Sequence, residues 1–328
     1  MRRLLLLLLI AAVVAAAWLV MAPYGPSSQI FVEIPQGTPT ARISALLSEK
    51  GVVRSRLAFD VLHKIEGGTL KAGEYKFDHP ARMTEVYRRL EEGDVYTVSV
   101  TFPEGSNLFD MAQRLQSAGF GAGAKFLAAA KTNVSLIRDL DPKAPSLEGY
   151  LFPDTYRFSP LATPTEIQKA MVRRFRQEAM EIGLNSDYHR VVTLASLIER
   201  ETPIPSERPL VASVFVNRLA KGMPLMTDPS VIYAALLKGD YQGTIYESNL
   251  QSDSPYNTYK HAGLPPGPIC SPGAGSLKAA MHPAQTDYLY FVAASADPSG
   301  KSRFSATLAQ HEHNVAAYRK SLREARSQ

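Results

Sequence analysis

Residues 32–52, VEIPQGTPTARISALLSEKGV, and residues 100–120, VTFPEGSNLFDMAQRLQSAGF, follow one pattern. Each opens with a short apolar strand, turns through Pro-x-Gly and a Thr or Ser, continues with helical apolar spacing and closes at a Gly. Pro35 and Pro103, Gly37 and Gly105, Leu47 and Leu115, and Gly51 and Gly119 coincide without a gap. Thr38 and Ser106 are expected at or beside the helix N-caps, and Gly51 and Gly119 at the C-termini. Two copies are too few for a solenoid. They predict two small βα units built alike, in a chain of the α+β class; a common strand–turn–helix solution met twice is the alternative.

Between the copies, SRLAFDVLHKI (55–65) has helical spacing, LKAGEYKF (70–77) reads as a strand entered through Gly73, and 83–90 as a further helix closed near Gly93. Residues 30–77 thus predict a compact βααβ unit of about LysM size, suited either to polysaccharide or to spacing the next domain from a surface. After Leu140 the texture changes, with Pro142, Pro145, Pro153 and Pro160 around SLEGYLFPDTYRFSP. Helices are expected over 165–182, 187–200, 207–220 (capped by Ser206), 228–237 (Asp228 as N-cap, Pro229 at the first helical position), 275–281 and from 308, with a strand around 289–293. In 187–200, Val191, Leu194, Ala195 and Ile198 share one face. Five prolines and three glycines make 254–273, SPYNTYKHAGLPPGPICSPG, a long ordered loop. The expected plan is 1–22 anchor, 23–98 LysM-like subdomain, 99–140 second βα unit and connector, and 141–328 a mainly helical mixed catalytic domain.

The chain has 328 residues, 45% of them hydrophobic, a formal charge of +5 and one cysteine, Cys270. That composition excludes a mostly disordered chain, a disulfide framework and a Cys-based zinc site, and the dispersed charge gives no argument for nucleic acid. Leu4 to Met21 holds no charged side chain, Arg2 and Arg3 precede it, and no Lys or Arg follows before Arg42. This predicts a single N-terminal transmembrane helix that leaves the rest of the chain outside the cytoplasm. A cleaved signal peptide is the competing reading, less favoured because Trp18 to Met21 extend the run. No Gly-rich nucleotide loop is evident, and no cofactor is expected.

Glu199 lies in the last turn of the apolar helix, after Leu197 and Ile198. Desolvation and the negative end of the helix dipole would both favour its protonated form, which glycosidic cleavage requires of a general acid. On helix physics alone, the commoner outcome is a solvated glutamate paired with Arg200 or Arg208. Glu201, two residues on, faces elsewhere. In the long loop, Tyr256 and Tyr259 offer stacking faces, and Asn257, Thr258 and Ser254 offer hydrogen bonds to a hydroxyl-rich ligand. Prolines that merely stiffen the loop are the even alternative. His311 and His313, two apart, do not share a helix face, so no metal is expected. Cys270 reads as a packing residue.

LEGYLFPDTY (147–156), LASLIERET (194–202), SERPLVASVFVNRLAKGMPLMTDPSVIY (206–233) and SPYNTYKHAGLPPGPIC (254–270) resemble, in order, the YceG-like endolytic murein transglycosylases. The resemblance implies a bitopic protein of the cell inner membrane with its catalytic domain in the periplasm. It implies cleavage of the β-1,4 bond between N-acetylmuramic acid and N-acetylglucosamine within peptidoglycan strands, with Glu199 as the catalytic glutamate. Glu207, Arg208, Asn217, Asp228, Tyr256, Asn257 and Tyr259 are the implied groove positions. Peptidoglycan, the inner membrane and peptidoglycan synthases are the expected partners. A hydrolytic muramidase using Glu207 or Asp228, or an inactive glycan-binding scaffold, are the alternatives. Near the carboxyl end the sequence departs from the family pattern: Ser302-Arg303-Phe304 lacks the usual first histidine, and Glu312 follows His311 in place of Asn.

Overall fold

The structure is a computed structural model that describes residues 2–297 and 300–326. Met1 of the expected anchor and the last two residues of the expected catalytic domain lie outside the described residues. Helix α1 (Arg2–Met21) forms where the apolar run predicts one. Among the described residues, however, no helix is long and apolar enough to cross a membrane. The expected transmembrane span is therefore not supported by the described helices.

The chain forms two units, one from Met1–Ser99 with Arg157–Ala162, the other from Val100–Tyr156 with Thr163–Gln328. In the first, β1 (Ile30–Ile34) is followed by α2 (Thr40–Glu49), α3 (Arg56–Glu66), β2 (Gly73–Phe77) and α4 (Met83–Glu92). The strands pair antiparallel, from Ile30 opposite Phe77 to Ile34 opposite Gly73, so 30–77 is a strand–helix–helix–strand unit. Alternate residues face inward: Val32, Ile34, Tyr75 and Phe77 are buried with Ile43, Leu47, Phe59, Leu62, Val86 and Leu90. β2 begins at Gly73, the residue through which the strand was expected to be entered. There φ is 147°, and a Cβ would come within 2.3 Å of Val95, so the backbone approaches as only glycine allows.

The two sequence copies are alike bond for bond. In the first, the Thr38 N–H (3.2 Å) and hydroxyl (2.7 Å) both donate to the Pro35 carbonyl. In the second, Ser106 does the same to Pro103, at 3.2 and 2.7 Å. The intervening Gly37 and Gly105 have φ of 79° and 78°. Thr38 and Ser106 therefore close the turns; the N-caps are Pro39 and Asn107. Both helices end in a Schellman motif: Gly51 and Val52 N–H donate to Ser48 and Leu47 carbonyls, as Gly119 and Phe120 do to Gln116 and Leu115.

The second unit is entered along β3 (Val98–Thr101) and continues through α5 (Leu108–Ser117), α6 (Gly123–Thr132) and β4 (Thr155–Phe158), which pairs with β3. Helices α7 (Pro164–Glu181), α8 (Tyr188–Glu201), α9 (Arg208–Ala220), α10 (Asp228–Lys238), one-turn α11 (Glu247–Leu250) and α12 (Ala274–Met281) follow. A hairpin of β5 (Tyr290–Ala293) and β6 (Ser302–Ser305) precedes α13 (Leu308–Arg326). Helix α6, α11, β4 and β6 were not expected from the sequence; each is either very short or, like Ala-rich α6, lacks a wide apolar stripe. Ser206 lies inside a 3-10 turn, Pro205–Glu207, so the cap of α9 is Glu207. Asp228 is the first helical residue of α10 and Thr227 its cap.

Helix α8 is more central than its predicted single apolar face suggests. All eight residues from Val191 to Ile198 are buried, because α9 and α12 pack against it and 269–270 bind its Ser196: Ile269 N–H donates to Ser196 Oγ at 3.0 Å and the Cys270 thiol to its carbonyl at 3.3 Å. A fully buried aliphatic side chain contributes roughly 1.5–3 kcal/mol, so this helix fixes the unit. Gly149, with φ of 83°, lets Pro268 and Val192 approach to within 2.5 and 2.9 Å of where a Cβ would stand.

Glu148, 2% exposed, ties two helices together. Its Oε2 accepts from Leu108 N–H at 3.0 Å, at the start of α5, and from the Tyr233 hydroxyl at 2.9 Å, on α10. Among the described residues its Oε1 is buried without a partner. Burial pushes this carboxyl from 4.5 up to about 8. Between those two pH values the folded chain holds a proton that the unfolded chain has released, so stability falls as pH rises through that window and levels off above it. Glu148→Gln keeps both accepted bonds. Melting scans at pH 5 and pH 8 are expected to show wild type losing several degrees more than the variant; equal losses would contradict the assignment.

Candidate active site

The end of α8 brings Glu199 into a buried position, with its side chain 5% exposed. Oε1 lies 3.0 Å from Nη2 of Arg208, at the start of α9. Oε2 accepts the Gly273 N–H at 2.9 Å, and Gly273 is the N-cap of α12. Both partners are donors, so each oxygen of the side chain acts as an acceptor. The sequence anticipates an acid among apolar neighbours and the end of α8; what it does not reveal is a second helix, α12, presenting its positive end to the same group.

Two loops frame the position. The turn 103–106 is tied to the loop after Pro268 by Gly105 N–H to Ser271 O (3.0 Å) and Ser271 N–H to Ser106 O (2.9 Å). Arg200 reaches the Gly105 carbonyl at 3.5 Å. The turn carries Glu104, 49% exposed, whose Oε2 stands 3.4 Å from the same Arg208 Nη2. Arg208 therefore joins two carboxylates, one buried and one half-exposed. Glycines make room for this arrangement: a Cβ at Gly275 would stand 2.4 Å from Arg208 Nη1, and one at Gly273 1.9 Å from Glu104 Oε1.

Glu104 was missed in the sequence. A signal for it exists: the equivalent residue of the first copy, in an otherwise identical turn, is Gln36.

Of the other expected groove residues, only Arg208 touches Glu199. Glu207 is 4% exposed, and its two oxygens accept the Ser302 N–H (2.7 Å) and hydroxyl (2.8 Å), fastening the β5–β6 hairpin to α9. Asn217 donates to the Thr286 and Tyr288 carbonyls, both at 2.9 Å. Asp228 accepts the Tyr259 hydroxyl at 2.6 Å, and burial together with Asp228 pushes that phenol up. Tyr256 is buried edge-on against Tyr233, with ring centroids 5.1 Å apart, and burial raises its phenol to about 12. Asn257 is fully buried: it donates to the Leu250 and Ser252 carbonyls and accepts the Tyr259 N–H.

Glu201 belongs to a different neighbourhood from Glu199. Burial, and next Asp228, push it up to about 7, with Arg218 opposing. Arg218 is committed to the Leu289 and Leu225 carbonyls at 2.7 and 2.8 Å. Cys270 is buried and its thiol is pushed well up, which suits packing rather than nucleophilic attack. His311 stacks on Tyr290 at 5.1 Å, and burial lowers its pKa. Among the described residues no cluster of three His, Cys, Asp or Glu side chains is arranged to hold a metal ion.

The chain is of the mixed α+β class, with a guanidinium-paired glutamate at the end of its central helix. The model of the YceG-like family matches residues 32–317, and the chain belongs to that family. It is 35% identical over 315 residues to the endolytic murein transglycosylase of Bacillus subtilis (strain 168), covering 89% of this chain and 86% of that one. It is 29% identical over 329 residues to the protein of the same name from Streptococcus pneumoniae (serotype 2, strain D39), covering 88% of this chain and 58% of that one. A crystal structure at 2.6 Å of a yceG-like protein from Listeria monocytogenes superposes with a TM-score of 0.56 at 34% identity, over 88% of this chain and 99% of that one.

The burial of Asn257 and its three bonds inside the loop generate a test of the loop's architecture. Asn257→Ala strands two carbonyls and one N–H, and is expected to cost about 2–4 kcal/mol, read as a lower urea midpoint. An unaltered midpoint would mean that the prolines alone hold the loop.

Proposed function

We propose that this protein is an endolytic murein transglycosylase in which Glu199 is the one acid–base group. The observation that carries the reading is the placement of Glu199: 5% exposed and in contact with Arg208, in a chain whose relatives bear that enzyme's name. In the proposed reaction, protonated Glu199 gives its proton to the oxygen of the β-1,4 bond between N-acetylmuramic acid and N-acetylglucosamine. The C1–O bond breaks, the N-acetylglucosamine 4-hydroxyl departs and positive charge develops at C1. The Glu199 carboxylate then takes the proton of the muramic acid C6 hydroxyl, whose oxygen bonds to C1. The product is a 1,6-anhydro end and no water is consumed. Because the attacking hydroxyl is on the same sugar, its effective concentration is high and no second base is needed to activate water.

The hydrolytic alternative gains little from the residues first considered for it. Glu207 spends both oxygens on Ser302, and Asp228 is bound by Tyr259. Glu199→Gln is expected to lower strand cleavage by at least about 1000-fold, with mass spectrometry of wild-type products showing anhydro ends. Reducing ends would establish hydrolysis instead, strands left equally uncut by variant and wild type would leave only a glycan-binding scaffold, and equal rapid cleavage by both would move the acid–base role away from Glu199.

The apolar run 4–21, preceded by Arg2 and Arg3, supports placing the protein at the inner membrane, with both units on the periplasmic side and within reach of nascent strands and their synthases. Extraction of membranes at high pH tests this placement. The protein is expected to stay in the pellet, and release into the supernatant would count against it.

A further inference from the structure

A general acid must present a proton to its substrate, yet both oxygens of Glu199 are taken up by donors: Arg208 Nη2 on Oε1 at 3.0 Å and Gly273 N–H on Oε2 at 2.9 Å. The contact with Gly273 is a backbone bond at the cap of α12 and is fixed by the fold. The contact with Arg208 is made by a side chain that has somewhere else to go. Glu104 Oε2 lies 3.4 Å from the same nitrogen, and among the described residues the Nε of Arg208 is buried with no partner, so that nitrogen does not hold the guanidinium in place. The glycines at 273 and 275 leave free the volume on which the Glu104 carboxylate and the Arg208 Nη1 lie.

The internal repeat supplies a control. The turn 35–38 has the same two bonds from Thr38 to Pro35 and the same positive φ at glycine as the turn 103–106. In that copy the residue after the proline is the neutral Gln36, and the space around Gly37 is open. The turn itself therefore has no need of a carboxylate at this place. Only the copy beside Glu199 has one, and it reaches Arg208.

We propose that Glu104 is a positioning residue that acts through Arg208: it is the second seat of the guanidinium, which moves onto it to free Oε1 of Glu199 for the proton transfer. Resting on the reading of Glu199 as proton donor, this adds a step before the chemistry. The ion pair passes from the buried carboxylate to the half-exposed one, and Glu199 takes a proton from solvent as the guanidinium leaves. After turnover the proton received from the C6 hydroxyl is released to water when Arg208 returns.

The test is a double-mutant cycle on the full chain, with purified glycan strands as substrate. Glu104→Gln is expected to lower kcat on the order of 10- to 100-fold with KM within about twofold, and Glu104→Asp to recover part of the loss. Its melting temperature is expected to match wild type, since the side chain is half-exposed and the sister turn carries glutamine. In an Arg208→Gln background the same change is expected to have no further effect. An unchanged kcat in Glu104→Gln, or the same loss repeated without Arg208, would overturn the proposal.

Should Arg208→Gln be too slow to read, a wild-type crystal with an uncleavable thio-linked glycan decides the matter. Arg208 seated on Glu104 and off Oε1 supports the transfer, and Arg208 still on Oε1 rejects it. Glu199→Gln is assayed in parallel. Full activity there would remove the catalytic reading itself, whereas an inactive Glu199→Gln with an additive cycle would remove only the role of Glu104.

Discussion

An ionised side chain at the buried end of a packed helix is tolerated only where its oxygens are met by donors, because an unpaired inner charge costs several kcal/mol. In this protein the donors come from separate parts of the chain: Arg208 from the start of α9 and the Gly273 N–H from the cap of α12. That requirement accounts for much of the second unit. Helix α8 must be central so that Glu199 is shielded, α9 and α12 must lie against it, and the proline-rich loop must deliver Gly273 at the right height. The bonds of Ile269 and Cys270 to Ser196, three residues before Glu199, set that height.

The parts of the fold that were legible in the sequence are those governed by short-range rules. Pro-x-Gly followed by Thr or Ser marks a turn with positive φ, and a glycine after an apolar helix marks a Schellman ending; both were found twice, with the same bonds. Most helices of the second unit start and stop near their expected positions because prolines and glycines bound them. Less legible were elements with weak local signals, such as α6 and the four-residue strands β4 and β6. Ser206 and Asp228 each stand one residue from the actual cap, as helix ends often do, whereas Thr38 and Ser106 lie beside their caps as expected and use their hydroxyls to close the preceding turn.

The site was legible in a similarly uneven way. Glu199 stood out through its place on an apolar helix and through the motif around it. The polar residues of the long loop looked like ligand contacts, but Asn257 and Tyr256 are buried, and a buried amide must find its partners within the loop. Whether a polar residue near a site points into it or holds the walls is decided by packing that no spacing encodes. Glu104 is the reverse case. Its local sequence announces only a turn, and its importance emerges when Arg208, a hundred residues later, is found on the same side.

The fastening of Glu207 to Ser302 has a wider meaning. Glu207 is the residue immediately before Arg208, and it grips the first residue of β6 through both of its oxygens. The residue that holds the hairpin and the residue that meets Glu199 are therefore successive links of one backbone, so the seating of β6 and the approach of Arg208 to the carboxylate are set by the same short turn ahead of α9.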